Sequence, residues 1–198
     1  MPSAYARGPH ASAMLMAPLV TKVSAFALLR VLFWTFGIGA AVGDVPLAEA
    51  TAWLGAAAVV AGGAMAFVQT DFRRLLAYSS VGQIGIVALG IGLADVPGVT
   101  GGIVHIASDA LVKAALFLAA GTLALRFGVT EVDDLNQLRG RAPVTSAVLA
   151  IGGLSLVGIP PLAGFFGKWY VLSAALSEGR WAFVAAMVFG SLASIGYV

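Results

Sequence analysis

The stretch from Gly101 to Leu125, GGIVHIASDALVKAALFLAAGTLAL, decides the fold of this chain. It is long and apolar enough to cross a bilayer as an α-helix, yet it carries three ionisable side chains. His105, Asp109 and Lys113 are spaced i, i+4 and i+8, so a helix stacks them along one face. Ionisable groups are costly inside a membrane, and by default they indicate an ion or proton path.

The composition of the whole chain predicts an integral membrane protein. Of its 198 residues, 60% are hydrophobic and only 10% are charged, and the mean hydropathy is +0.98. The net charge of +2, without any basic block, argues against nucleic acid as a partner. We therefore expect the lipid bilayer to be the main surrounding of this chain.

Cofactor and metal chemistry have little support in the sequence. The chain has no cysteine, which excludes a disulfide framework, a thiol nucleophile and an iron–sulfur cluster held by thiolates. One histidine and one carboxylate in the fourth segment fall short of the three or four ligands that zinc requires. We expect no cofactor, no metal and no redox or hydrolytic site in this chain.

Apolar runs alternate with short polar turns, which is the pattern of a polytopic helical bundle. We predict an all-α fold of six or seven transmembrane helices, forming a single domain over residues 1–198. Pro18 is a candidate break in the first helix. The predicted segments are Ala11 to Ala41, Leu47 to Gln69, Leu75 to Ala94, Gly101 to Leu125, Val144 to Gly158, Gly164 to Leu176, and Trp181 to the C-terminus.

The motif GIPPLAG from Gly158 to Gly164 has two interpretations. Its paired prolines either end one helix at a turn or interrupt one long helix inside the membrane. Discontinuous helices occur at membrane depth only where the irregular backbone is buried or lines a wet cavity, so a break would itself indicate function. Lys168 lies just beyond this motif.

All three lysines of the chain, Lys22, Lys113 and Lys168, lie in apolar segments. A buried lysine can lose its proton near neutral pH, whereas arginine stays charged. Asp109, four residues before Lys113, predicts an ion pair within the helix. Lys22 has no acidic residue in its own segment, so a carboxylate from elsewhere, inside or outside the chain, is implied. Lys168 has the alternative of anchoring at the interface.

Three polar side chains at the start of the third segment are candidate water-binding residues of the same path: Ser79, Ser80 and Gln83. The alternative is that the hydroxyls cap or bond back to their own helix. The whole polar cluster could likewise be an inert core that holds helices together.

The charged turns predict an orientation. The topology places five arginines on one side of the membrane and acids without Lys or Arg on the other: Arg73, Arg74, Arg126, Arg139 and Arg141 against Asp44, Glu49 and Asp95. The positive-inside rule makes the arginine-rich side cytoplasmic.

Three motifs occur in order: TDFRRLLAYSSVGQ (Thr70 to Gln83), the stretch His105 to Gly121, and GIPPLAGFFGK (Gly158 to Lys168). Together they resemble the proton-conducting, antiporter-like membrane subunits shared by respiratory complex I and Mrp-type Na+/H+ antiporters. Two short runs look most like a D-type antiporter subunit: GKWYVL, which follows Phe166, and Leu-Leu-Arg, which ends at Arg30. The resemblance implies an inverted-repeat fold with discontinuous helices.

The resemblance also implies roles for individual residues. Lys22 stands in the place of the central lysine on a broken helix, Lys113 matches the mid-membrane lysine, and Lys168 the terminal lysine or glutamate. His105 matches the histidine beside the path. Asp109 stands where many members have a second histidine, so the local relay would be an acid–base pair.

The function implied is proton translocation through Lys22, His105, Asp109, Lys113 and Lys168, as a subunit of a cation/proton antiporter complex. The alternatives are a proton-pumping subunit of an NADH:quinone oxidoreductase or related hydrogenase, and a structural scaffold. The expected partners are other membrane subunits and protons, with Na+ as a further candidate, in a bacterial inner membrane. Because the resemblance covers only part of two repeats, we expect a fragment, with the glutamate partner of Lys22 in the missing part.

Overall fold

The structure is a computed structural model that describes residues 10–37, 46–138 and 141–197. These ranges contain seven α-helices. In chain order they are α1 (His10–Arg30), α2 (Leu47–Phe67), α3 (Phe72–Gly92), α4 (Val96–Phe127), α5 (Pro143–Val157), α6 (Ala163–Ser177) and α7 (Trp181–Tyr197). A π-helix, Val31–Thr35, continues α1, and a 3-10 helix, Asp133–Leu138, lies between α4 and α5. The predicted all-α membrane bundle is confirmed.

Three of these helices, α2, α3 and α4, are long and apolar enough to cross a membrane, and the apolar helices α5 and α7 are shorter. Two of the long helices begin at an aspartate whose carboxylate accepts a backbone hydrogen bond. Asp71 accepts from the Arg74 amide at 2.7 Å, and Asp95 accepts from the Gly98 amide at 2.9 Å. These caps satisfy amides that the first turn leaves free. They start α3 and α4 a few residues before the predicted positions.

Small residues set the closest helix contact, between α2 and α3. A β-carbon added to Gly85 would lie 2.7 Å from the carbonyl oxygen of Gly55, so the two backbones nearly touch. Such approach is typical of membrane helices, where packing rather than the hydrophobic effect drives association. The main apolar core joins α2 and α3 to α6 and α7, around Val59, Leu89 and Phe183.

The segment from Gly158 to Gly164 is a helix break. α5 and α6 both lie along the 32-residue helix α4. Followed in chain order, their contacts move steadily toward the N-terminus of α4: Gly152 with Leu116, Gly167 with His105, and Val171 with Gly101. The two helices therefore run in one direction, antiparallel to α4. Each has 15 residues, or about 22 Å, so only the pair together spans a hydrocarbon core of about 30 Å.

Pro18 does not break the first helix, contrary to the prediction. α1 continues through residue 18 to Arg30, and the irregular segment is the π-helix at Val31–Thr35. Proline is tolerated inside membrane helices because local adjustments re-satisfy the freed backbone groups. The predicted end of this segment at Ala41 lies outside the described residues.

The sequence predicts that the side of the membrane carrying Glu49 and Asp95 has no lysine or arginine. The structure corrects this prediction. Arg180, in the α6–α7 turn, pairs with Glu49 at the start of α2 with its Nη1 atom 2.5 Å from Oε2. The side that carries Glu49 and Asp95 therefore has an arginine. The opposite side, which we call the arginine side, carries Arg73, Arg74, Arg126 and Arg141 among the described residues, while Arg139 lies outside them.

The polar connection between α4 and α5 contacts the α2–α3 turn on the arginine side. The Phe72 amide donates to the Thr130 carbonyl at 3.0 Å, and the Val132 amide donates to the Thr70 carbonyl at 3.0 Å. This places Asp71 opposite Glu131 in an isolated bridge. The connection is thus held against the start of α3.

Candidate functional site

All five predicted path residues are buried, with exposed fractions of 5% for Lys22, 1% for His105, 3% for Asp109, 0% for Lys113 and 7% for Lys168. They come from three helices, α1, α4 and α6. The three on α4 share one face, as their spacing predicts. We call these five residues the polar row.

Lys22 pairs with Asp109, with Nζ 2.5 Å from Oδ2. The contact joins α1 to α4, and it corrects two expectations. The expected ion pair within α4, between Asp109 and Lys113, is absent from the described ion pairs, and the carboxylate beside Lys22 comes from this chain. The sequence could not show this, because spacing along one helix does not reveal which neighbour packs against its face.

Lys113 instead reaches α3. Its Nζ donates to the Leu76 carbonyl at 3.1 Å and contacts the Ser79 hydroxyl. Ser79 and Ser80 each donate to the same carbonyl at 2.9 Å, which is the back-bonding that the alternative interpretation predicted. Ser79 nevertheless has a second role, because its oxygen accepts from the lysine.

Gln83 links His105 to the helix break. The Nε2 atom of His105 lies 2.8 Å from Oε1 of Gln83. The Gln83 amide nitrogen donates to the Leu156 carbonyl at 3.4 Å. Since an amide oxygen only accepts, this arrangement makes Nε2 of the histidine the donor. The sequence indicated Gln83 as a functional candidate because it is a polar side chain in an apolar helix that carries a motif. It did not show which groups this side chain joins.

The break at Gly158–Gly164 holds Lys168. The last carbonyls of a helix have no partner within it, and they form the negative end of the helix dipole. At the end of α5, the Leu156 carbonyl accepts from Lys168 Nζ at 2.5 Å and the Val157 carbonyl at 3.2 Å. Lys168 therefore points into the protein, and the break supplies its acceptors.

The hydrogen bonds and ion pairs among the described residues do not connect the whole polar row. His105 Nδ1 and Asp109 Oδ1 are buried, and neither has a hydrogen-bond partner within the described part of the chain. The contacts thus fall into three groups: Lys22 with Asp109, Lys113 with Ser79 and the Leu76 carbonyl, and His105 with Gln83, which shares the Leu156 carbonyl with Lys168. A mobile proton carrier, or a rotation of Asp109, would be needed to join them.

The fold and this site define a polytopic membrane protein with ionisable side chains buried beside a discontinuous helix. The sequence profile of the family described as NADH:quinone oxidoreductase/Mrp antiporter, transmembrane, matches residues 1–194. The chain belongs to that family.

Individual relatives support the assignment. The chain is 39% identical to NADH-quinone oxidoreductase subunit N of Desulforudis audaxviator, over all of this chain and 39% of that protein. It is 28% identical to the D-type subunit of the Na(+)/H(+) antiporter of Bacillus subtilis, over 97% of this chain and 38% of that protein. It spans less than half the length of these relatives.

The fold is also found in a solved structure. A chain of the membrane-bound sulfane sulfur reductase, an archaeal respiratory membrane complex, superposes with a TM-score of 0.90 at 32% identity. The match covers 99% of this chain and 40% of that one.

Proposed function

We propose that this chain conducts protons across the membrane as part of a multisubunit complex. The observation that carries the proposal is the polar row itself. Three lysines, a histidine and one aspartate are buried together, and each lysine has a specific acceptor. Groups this costly to bury in a membrane segment mark transport paths far more often than inert packing.

Asp109 is the residue that can couple the sites. Its carboxylate touches Lys22, while Lys113 lies one helical turn away on the same face of α4. A rotation of Asp109 would exchange one lysine partner for the other. Because a nearby carboxylate favours the charged form of lysine, this exchange would move the site at which a proton is held.

The type of complex is argued from the relatives. The sequence favoured a D-type antiporter subunit, whereas identity is higher with the quinone oxidoreductase relative than with the antiporter relative, at 39% against 28%. We therefore place a proton-pumping subunit of a quinone oxidoreductase first. Other membrane subunits are its partners, and a bacterial inner membrane is its location, with the arginine side cytoplasmic.

The second candidate is a subunit of a cation/proton antiporter, which the match to the Bacillus subtilis antiporter protein over 97% of this chain supports. In that case transport would depend on Na+ as well as on protons. To distinguish the two candidates, proton movement is measured with and without Na+ in the absence of a quinone reductant. Only the antiporter candidate should show dependence on Na+.

The test is Lys113→Met in the complete subunit within its assembled complex, with proton translocation measured in membrane vesicles. Methionine keeps the length of the side chain and removes the proton site, so we expect translocation to be lost. Lys113→Arg keeps the charge but cannot release a proton, and it should fail as well. Thr122→Ala, at a half-buried position on the same helix where the hydroxyl bonds back to the Leu118 carbonyl, is the control.

Unchanged translocation in Lys113→Met would overturn the proposal. The scaffold alternative makes the opposite prediction, that Lys22, Lys113 and Lys168 can all become leucine without loss of transport.

A further inference from the structure

Tyr197, at the end of α7, borders two cavities. One has a volume of about 300 Å³ and is lined by the start of α3, by α5 and by the polar connection. The other has a volume of about 10 Å³ and is lined by Ser79 and Gln83 of α3 and by Ser194 of α7. Tyr197 lines both cavities, and its side chain therefore borders each of them.

The larger cavity is on the arginine side of the polar row. Its lining includes Phe72, next to Arg73, and Val132 and Leu135 of the connection. It also includes Leu76, whose carbonyl accepts from Lys113. The cavity therefore leads from the arginine side to the neighbourhood of Lys113.

The smaller cavity has the size and the polarity of a water site. A water needs about 10–15 Å³ and two to four polar partners. Ser79, Gln83, Ser194 and Tyr197 are the polar side chains around this space. Two of them contact the polar row directly, because Ser79 accepts from Lys113 and Gln83 contacts His105.

Hydrogen bonds fix the direction of the Tyr197 hydroxyl. Ser194 donates its proton to the Gly190 carbonyl at 2.8 Å, and its oxygen lies 3.0 Å from the Tyr197 hydroxyl. A hydroxyl has one proton to donate, so Ser194 accepts from Tyr197 here. Ser79 is a further polar neighbour of the Tyr197 hydroxyl, which places the phenol one residue from Lys113.

We propose that Tyr197 is a proton-relay residue that joins the arginine-side cavity to Lys113. The inference rests on the proposed function and adds a route by which protons enter from the arginine side and reach Lys113. The Tyr197 oxygen accepts a proton from a hydronium ion in the large cavity, while its own hydroxyl proton passes to a water in the small cavity. That water gives a proton to the Ser79 oxygen as the Ser79 hydroxyl proton moves to the unprotonated amine of Lys113, and rotation of the hydroxyls restores the starting state.

The test is Tyr197→Phe in the complete subunit in its complex, because phenylalanine keeps the ring and removes only the hydroxyl. We expect translocation to fall roughly tenfold. This is less than the factor of about 100 that a positioned proton-transfer group commonly supplies, because water can replace part of the relay. Tyr170→Phe, on an exposed tyrosine of α6, is the matched control and should keep full transport.

A second variant addresses the water site without touching Tyr197. A β-carbon added to Gly82 meets its nearest atoms, on Gly63 and Val59, at 3.6 Å, which is ordinary contact. These three residues line the small cavity, so Gly82→Ala fills it without a clash. We expect intact assembly and thermal stability with reduced translocation, a combination that a merely structural role would not produce.

The outcomes separate the two proposals. Full transport in Tyr197→Phe, while Lys113→Met has lost it, would overturn the relay and leave the proposed function in place. Full transport in Lys113→Met would overturn both. If Tyr197→Phe fails to assemble, Gly82→Ala decides: reduced translocation supports the relay, and unchanged translocation overturns it.

Discussion

Asp109 contacts Lys22 through Oδ2, while its Oδ1 has no hydrogen-bond partner among the described residues. Removing one member of a buried ion pair costs about 3–5 kcal/mol, because the other charge is left without compensation. We therefore expect Asp109→Asn to lower the unfolding temperature of the assembled complex and to abolish proton translocation. The double variant Lys22→Met with Asp109→Leu should recover the stability and stay inactive, measured by thermal unfolding and vesicle assays. Recovery of transport in the double variant would contradict the assigned role.

For individual residues of the site, the sequence predicted which residue types are present but not which residues they contact. A lysine or aspartate in a membrane-length run is visible in the sequence, because its desolvation is costly wherever it points. Its partner depends on how α1, α3 and α4 pack, and no spacing within α4 contains that information. The spacing thus pairs Asp109 with Lys113, whereas the structure pairs it with Lys22.

The discontinuous helix formed by α5 and α6 depends on a glycine at its contact with α4. A β-carbon on Gly167 would lie 2.6 Å from the β-carbon of His105. Overpacking of this kind costs about 1–3 kcal/mol, so Gly167→Ala should lower thermal stability and displace His105 from Gln83. Phe166→Leu, on an exposed position beside it, should change stability by less than about 0.5 kcal/mol. Equal stabilities for the two variants would contradict this packing.

The sequence identified the motif from Gly158 to Gly164 but did not decide between a turn and a helix break, because only the contacts along α4 show the direction of both halves.

The whole molecule has an electrostatic orientation. Four described arginines lie on the arginine side. On the other side, Arg180 is paired with Glu49 and Glu178, and Arg30 ends α1, whose Leu29 packs in one cluster with Ile91 near the end of α3. The positive-inside rule predicts that a cysteine replacing Glu131 reacts with a membrane-impermeant maleimide from the cytoplasm. A cysteine replacing Glu178 should react only from the opposite side. These 198 residues contain no native cysteine, so within them each label reports one site. The reversed pattern would invert the orientation, and with it the side on which the Tyr197 cavity opens.

The acceptors of Lys168 are main-chain carbonyls, those of Leu156 and Val157. Any amino acid at these two positions carries the same oxygen, so an alanine scan across them would keep both acceptors of the lysine. Its result would instead report on the side chains, of which Leu156 is buried in an apolar core. Replacement of the following peptide amides by esters, which weakens these carbonyls as acceptors, would report on the contact instead. Descendants of this sequence can thus change both side chains and keep the lysine site, provided that the apolar packing around Leu156 is kept and that the chain still breaks at the same place.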